Sequence, residues 1–119
     1  MSEAEHEAAV TEPVIIDNPA ESRFELYVGG ERAGLVLYEL AGHQEGQQGG
    51  EQVSILHTEI ADRFQGMGLA SKLVRGVLDQ ARARGLAVLP YCPYTKSWIA
   101  KHPDYADLVP PDRRAQFGL

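Results

Sequence analysis

Apolar side chains change their spacing along this chain, and each change marks a new element. From residue 23 to 28, Phe24, Leu26 and Val28 alternate with polar or amphipathic neighbours, the pattern of a half-buried strand. Gly29-Gly30-Glu31 follows, and paired glycines supply the positive φ of a tight hairpin turn. Residues 32–40 read as the returning strand and 52–60 as a third, separated by the Gly- and Gln-rich loop AGHQEGQQGGE. In the third strand Val53 and Ile55 fall on one face and Leu56 and Ile60 on the other, which predicts a central strand covered on both sides. Then the period becomes helical. Ala70, Leu73, Val74, Val77, Leu78 and Ala81 recur at intervals of three and four, with Lys72, Arg75, Asp79 and Arg82 off the stripe. Gly85 is a suitable stop. Gly76 weighs slightly against this helix, because an interior glycine costs about 1 kcal/mol relative to alanine. Residues 86–91 read as a short buried strand and 95–102 as a last helix that Pro103 ends, with an irregular tail after Val109. The predicted order is β–β–β–α–β–α, an α+β fold. An antiparallel meander leads into a crossover helix and then a strand that the right-handed crossover rule sets parallel to the third.

A chain of 119 residues holds one domain with a modest core. Residues 1–13 carry four glutamates and no Lys or Arg, which predicts a disordered acidic tail before a single domain at 14–119. The opening MSEAEHEAAVTEP has neither the basic region nor the apolar core of a signal peptide, and no apolar run approaches the roughly 20 residues of a membrane span. Cys92 is the only cysteine, so no internal disulfide can form. Together these features make a cytoplasmic location the expectation, with no membrane partner and a monomer or weak dimer as the assembly. A net charge of −6 argues against nucleic-acid binding. Residues 63–101, however, carry seven basic side chains against Asp79 alone, a segment able either to attract a small polyanion or simply to be solvated.

Chemistry concentrates between the third strand and the long helix, in Arg63-Phe64-Gln65-Gly66-Met67-Gly68-Leu69-Ala70. The first N–H groups of a helix lack internal partners, the helix dipole adds partial positive charge there, and glycines let an anion approach the backbone. Arg63 and Lys72 add full charges. This pattern fits a phosphate cradle, and equally a plain strand-to-helix turn. It is not the dinucleotide fingerprint, because Ser71 stands where the third glycine would be.

Arg63-x-x-Gly66-x-Gly68 resembles the Q/R-x-x-G-x-G/A signature of the GNAT superfamily of N-acetyltransferases. His57-Thr58-Glu59, the RFQGMGLASKLV segment, Cys92-Pro93-Tyr94 and His102-Pro103-Asp104-Tyr105 extend the likeness to small GNAT-type proteins, over about residues 23–109. The resemblance implies a GNAT-like mixed sheet whose last two parallel strands splay apart, with acetyl-CoA as co-substrate. It implies pyrophosphate contacts from Gln65 through Ala70, with Arg63 and Phe64 opening the loop and Ser71 capping it and offering a hydroxyl. It also implies strand-like pairing of Glu59 and Ile60 with the pantetheine. Pro90 agrees with a diverging strand, since proline has no N–H for a ladder. The chain departs from the superfamily in two places. Only Gly29-Gly30-Glu31 joins strands between which a typical GNAT domain inserts acceptor-walling helices, and Trp98 and Lys101 stand where the common tyrosine acid is expected.

Acetyl transfer requires a base for the amine proton and an acid for the leaving thiolate. His57 is the natural base, Glu59 a weaker one, and Cys92 either an acid or a nucleophile that carries the acetyl group. A packed cysteine and a packed histidine are the plain alternatives. The strand pairing predicts a His57–Cys92 contact. Trp98 and Tyr94 read as core or pocket wall, and the histidines and cysteine lack metal-ligand spacing, so no metal is expected. The leading expectation is an N-acetyltransferase acting on a small-molecule or protein amine. A non-catalytic acyl-CoA-binding module and a nucleotide-binding regulator are the alternatives.

Overall fold

The computed structural model describes residues 12–41 and 51–119. Five strands form one sheet in sequential order: β1 (Val14–Asn18), β2 (Arg23–Val28), β3 (Glu31–Ala41), β4 (Gln52–Ile60) and β5 (Ala87–Pro90). The first four are antiparallel neighbours, and β5 lies parallel to β4 after a crossover through α1 (Leu69–Ala83). A second helix, α2 (Pro93–Lys101), and short 3-10 turns at Pro103–Leu108, Pro111–Arg113 and Ala115–Phe117 complete the chain. This is the α+β meander-plus-crossover that the sequence predicts, with one more strand at its start. No helix among the described residues is long and apolar enough to cross a membrane.

β1 escapes the alternation test because its apolar residues run consecutively, Val14-Ile15-Ile16. Only Ile15 faces α1; Val14 and Ile16 remain 51% and 47% exposed on the outer face of the sheet. The same contact explains Gly76. A Cβ built there would meet Ile15 Cδ1 at 2.2 Å, so the glycine that weakens the helix in isolation lets β1 close on it. Asp17 adds a second tie, accepting a hydrogen bond from the Tyr38 hydroxyl at 2.6 Å and pairing with Arg84 at 2.8 Å.

The apolar stripe of α1 does what its period implies from Leu73 onward, while Ala70 is only half-buried beside the cleft and Leu69 is buried in its place. Leu73, Val74, Val77, Leu78 and Ala81 are buried against Leu26, Val36, Ile55 and Val88 on the inner face of the sheet. Ile99 from α2 and Leu108, Val109 and Phe117 from the C-terminal turns join this core. Double coverage of the third predicted strand, now β4, is not found among the described residues. Leu37 pairs with His57 and Tyr38 with Ile55, so Leu56 is bulged out of register and 40% exposed. A bulge inserts one residue and shifts the alternation. Val53 and Ile55 point inward before it and Thr58 and Ile60 after it, which turns His57 and Glu59 outward.

Candidate functional site

β5 is four residues long, and its ladder with β4 ends at the Ile55–Pro90 pair. One further bond, from the Cys92 N–H to the Ile55 carbonyl at 2.8 Å, marks where the chain leaves. Residues 57–60 of β4 therefore have β3 on one side and, among the described residues, no strand on the other. Below this wedge, the Asp62–Phe64 turn and two left-handed glycines, Gly66 at φ 81° and Gly68 at φ 74°, lead into α1. Among the described residues, no side chain caps the helix. The first backbone bond closes at the Lys72 N–H, which reaches the Gly68 carbonyl at 3.4 Å, so the N–H groups of Leu69, Ala70 and Ser71 are left for an external acceptor. A Cβ added at Gly66 or Gly68 would meet nothing within 4 Å, so the backbone is open on that side.

These elements enclose an open cleft of about 320 Å³. Ile60 and Phe64 form one wall, Gln65, Gly66 and Gly68 the floor, and Leu69, Ala70 and Ser71 the helix start. Tyr94, from the first turn of α2, closes the far side. Two residues expected to bind at the turn do not line the cleft. Met67 is exposed beside the cleft, and the Arg63 guanidinium pairs with the Glu31 carboxylate of the β2–β3 hairpin while lying over the Phe64 ring. Other charges of the basic segment are also held by partners: Arg82 pairs with Asp107, Arg84 with Asp17, and Arg75 lies over Trp98. Among the described residues, Lys72, Lys96 and Lys101 form no ion pair.

Ser71 does not cap α1. It is the third residue of the helix, and its Oγ accepts the Trp98 indole N–H at 2.8 Å. Gln65 Nε2 donates to the Ile60 carbonyl at 3.2 Å, occupying from within the chain an acceptor on the unpaired stretch of β4.

Cys92 is 3% exposed, directly before α2, with Sγ 3.5 Å from Thr58 Oγ1. Burial pushes its thiol up. The Thr58 hydroxyl, the Thr95 N–H and hydroxyl, and the Tyr94 N–H favour the thiolate and outweigh burial, so the thiol is held below its ordinary value. The buried Thr95 hydroxyl has no hydrogen-bond partner among the described residues.

His57 sits elsewhere. Successive strand residues point to opposite faces, so Thr58 faces Cys92 while His57 lies on the outer face, its Nε2 3.0 Å from Glu59 Oε2. The expected His57–Cys92 contact is absent because the bulge at Leu56 fixes which residues of β4 look inward. The outer face around His57 is open, with Leu37 and Leu56 exposed and a shallow hollow of about 150 Å³ beside Glu59. No helix among the described residues covers it, as the short β2–β3 turn implies.

Residues 23–108 match the family described as GCN5-related N-acetyl-transferase. No curated protein sequence matches the chain. Among solved structures, a ribosomal-protein-alanine N-acetyltransferase from Brucella melitensis biovar Abortus 2308 superposes with a TM-score of 0.54 at 15% identity, covering 66% of this chain and 58% of that one. An aminoglycoside acetyltransferase from an uncultured soil metagenomic sample, solved with sisomicin, gives a TM-score of 0.50 at 14% identity, covering 76% of this chain and 57% of that one. The chain thus spans less than two thirds of either structure, and likeness at these identities speaks to fold. With the family match covering the meander, the glycine turn, the splayed strands and α2, the chain belongs to the GCN5-related N-acetyl-transferase family.

Proposed function

We propose that this protein is an acetyl-CoA-dependent N-acetyltransferase. The observation that carries this reading is the wedge between β4 and β5, floored by the uncapped start of α1 and its two left-handed glycines. Backbone N–H groups from Gly66 to Ser71 suit a pyrophosphate, the Gln65 N–H being bonded to the Asp62 carbonyl, and the edge of β4 at Glu59 and Ile60 suits the amides of a pantetheine arm once Gln65 Nε2 releases the Ile60 carbonyl. The acceptor amine approaches from the outer face, where His57 takes its proton and Glu59 orients the imidazole. As the nitrogen–carbonyl bond forms and the carbon–sulfur bond breaks, the Cys92 thiol on the inner side gives its proton to the departing CoA sulfur. In the nucleophilic variant of this reading, Cys92 itself takes the acetyl group before passing it on.

The open outer face supports a second reading, an acyl-CoA-binding module without turnover, because no element of the described chain walls an acceptor above His57. Two measurements decide. Calorimetry with acetyl-CoA, CoA and ATP is expected to give binding of the first two only; equal binding of ATP would point to a nucleotide site. Incubation with acetyl-CoA and a panel of amines, read by mass, is expected to return an acetylated amine. Binding with no acetylated product across small and protein amines would leave the module. An adduct of about 42 Da on the protein, lost in Cys92→Ala, would mark the nucleophilic variant.

A further inference from the structure

The block His102-Pro103-Asp104-Tyr105 and Trp98 have no part in the function proposed above, yet they converge on one hydroxyl of the cleft. Ser71 lines the cleft at the third position of α1, and Trp98 Nε1 donates to its Oγ at 2.8 Å. A serine hydroxyl has one hydrogen and two acceptor positions. Left alone at the start of a helix, it is free to rotate among solvent and neighbouring acceptors. Here the indole N–H occupies the acceptor side, and no described residue accepts the Ser71 hydrogen.

Trp98 is itself immobilised. It is 4% exposed, and His102 stacks on it with ring centroids 3.7 Å apart and planes 12° from parallel. The His102 Nδ1 sits 2.7 Å from the Trp98 carbonyl, Tyr105 meets the indole edge-on at 5.0 Å, and the Arg75 guanidinium lies 5.2 Å over the ring. Tyr105 is fixed in turn by donating to Asp79 at 2.8 Å. A donor held from this many sides sets the orientation of its acceptor.

We propose that Trp98 is a positioning residue for ligand binding: by filling the acceptor side of Ser71, it leaves the hydroxyl to present its hydrogen to an anion at the start of α1. The inference rests on the CoA reading above and assigns Trp98, His102 and Tyr105 to phosphate recognition. A Trp98 that only joins α2 to α1 would affect stability alone.

The test is a double-mutant cycle on the full chain, read by calorimetry with acetyl-CoA and with S-acetylpantetheine, which lacks the pyrophosphate. Ser71→Ala is expected to weaken acetyl-CoA about tenfold, the scale of a hydrogen bond to a charged group. Trp98→Phe is expected to weaken it about threefold, because the freed hydroxyl is no longer held in one orientation. The double variant is expected to be no weaker than Ser71→Ala, Ser71→Thr to recover the wild-type affinity, and S-acetylpantetheine binding to stay unchanged throughout. Full affinity in a folded Trp98→Phe, additive losses, or equal weakening of S-acetylpantetheine would each overturn the inference. Should Trp98→Phe not fold, the serine pair decides, and wild-type affinity in Ser71→Ala overturns it. A wild-type protein that binds no acetyl-CoA overturns the underlying reading instead, and the inference with it.

Discussion

On the inner side of β4, Thr58 and Ile60 look into a wedge whose parts are fixed by this chain alone: Cys92 at 3.5 Å, the glycine turn, the start of α1 and Tyr94. On the outer side, His57 and Glu59 pair with each other at 3.0 Å among exposed leucines. The same strand thus presents a pre-organised half-site and an open one. The inner half owes its order to backbone: a ladder that stops at Pro90 and a helix that starts without a cap. The outer half relies on exposed side chains. Donor binding is therefore expected to be rigid and sensitive to backbone changes, while acceptor chemistry is expected to depend on single side chains and to tolerate their neighbours.

The largest effects should come from groups that straddle the strand. Cys92→Ala and His57→Ala are each expected to lower turnover by about 10²- to 10⁴-fold, the usual range for a lost general acid or base. Because the two residues face opposite sides and share no contact, their losses are expected to multiply in the double variant. Steady-state rates with an amine returned by the acceptor screen provide the measurement. A double variant no worse than the weaker single would mean that the two act as one unit, and the division of labour between the faces would fail.

Next in size is the backbone cradle. Gly68→Asp is expected to weaken acetyl-CoA by about 100-fold or more, since it puts a carboxylate at the anion-binding end of a helix and a Cβ at φ 74°. Leu37→Asp, an equal change of charge on the outer face, is expected to move the same affinity less than about twofold, because exposed charges at a distance are screened. Calorimetry on both variants, with folding checked by thermal melting, measures the contrast. Similar losses in the two would show that the protein's overall charge, and not the turn, governs binding.

The parts of this comparison differ in how well they can be read from sequence. The long helix, the three longer strands and the glycine turn are legible because each carries a local signal: a period, a turn dipeptide, or glycines at a strand-to-helix junction. The bulge at Leu56 is not, since it is a property of the β3–β4 register, set by residues some twenty positions apart. That one slip decides that His57 looks away from Cys92. Arg63 is misplaced for a similar reason: its partner Glu31 becomes its neighbour only once β3 and β4 pair. β1 is hidden because an edge strand with consecutive apolar residues, of which Ile15 alone packs inward and is only partly buried, has no alternation to detect, and Gly76 reads as a defect until Ile15 is set against it. Ser71 and Trp98 are each visible, but their bond spans 27 residues and two helices.

The smallest expected effect concerns a buried polar cluster on the outer face. Glu25 belongs to the open side of the sheet, yet it is only 6% exposed. Arg23 Nε donates to its carboxylate at 2.7 Å, Asn18 at 3.1 Å and the Tyr27 hydroxyl at 2.8 Å, with Arg32 3.8 Å away. The Arg23 bond first, then those from Asn18 and Tyr27, hold its pKa down from 4.5 to about 2. A carboxylate whose pKa is lower folded than unfolded adds stability that is fully present above the unfolded value and fades as pH falls through the folded one. The Glu25 contribution is therefore expected to be constant at neutral pH and to decline from about pH 4.5 toward pH 2. Glu25→Gln removes the titrating group while keeping its shape. The melting temperature of wild type is expected to exceed that of the variant at pH 7, and the gap to narrow steadily below pH 4.5. Melting curves that run parallel from pH 7 to pH 2.5 would show that the cluster does not sense the Glu25 proton. Acetyl-CoA affinity at pH 7 is expected to be the same in both proteins, because this cluster lies on the face of the sheet away from the cleft.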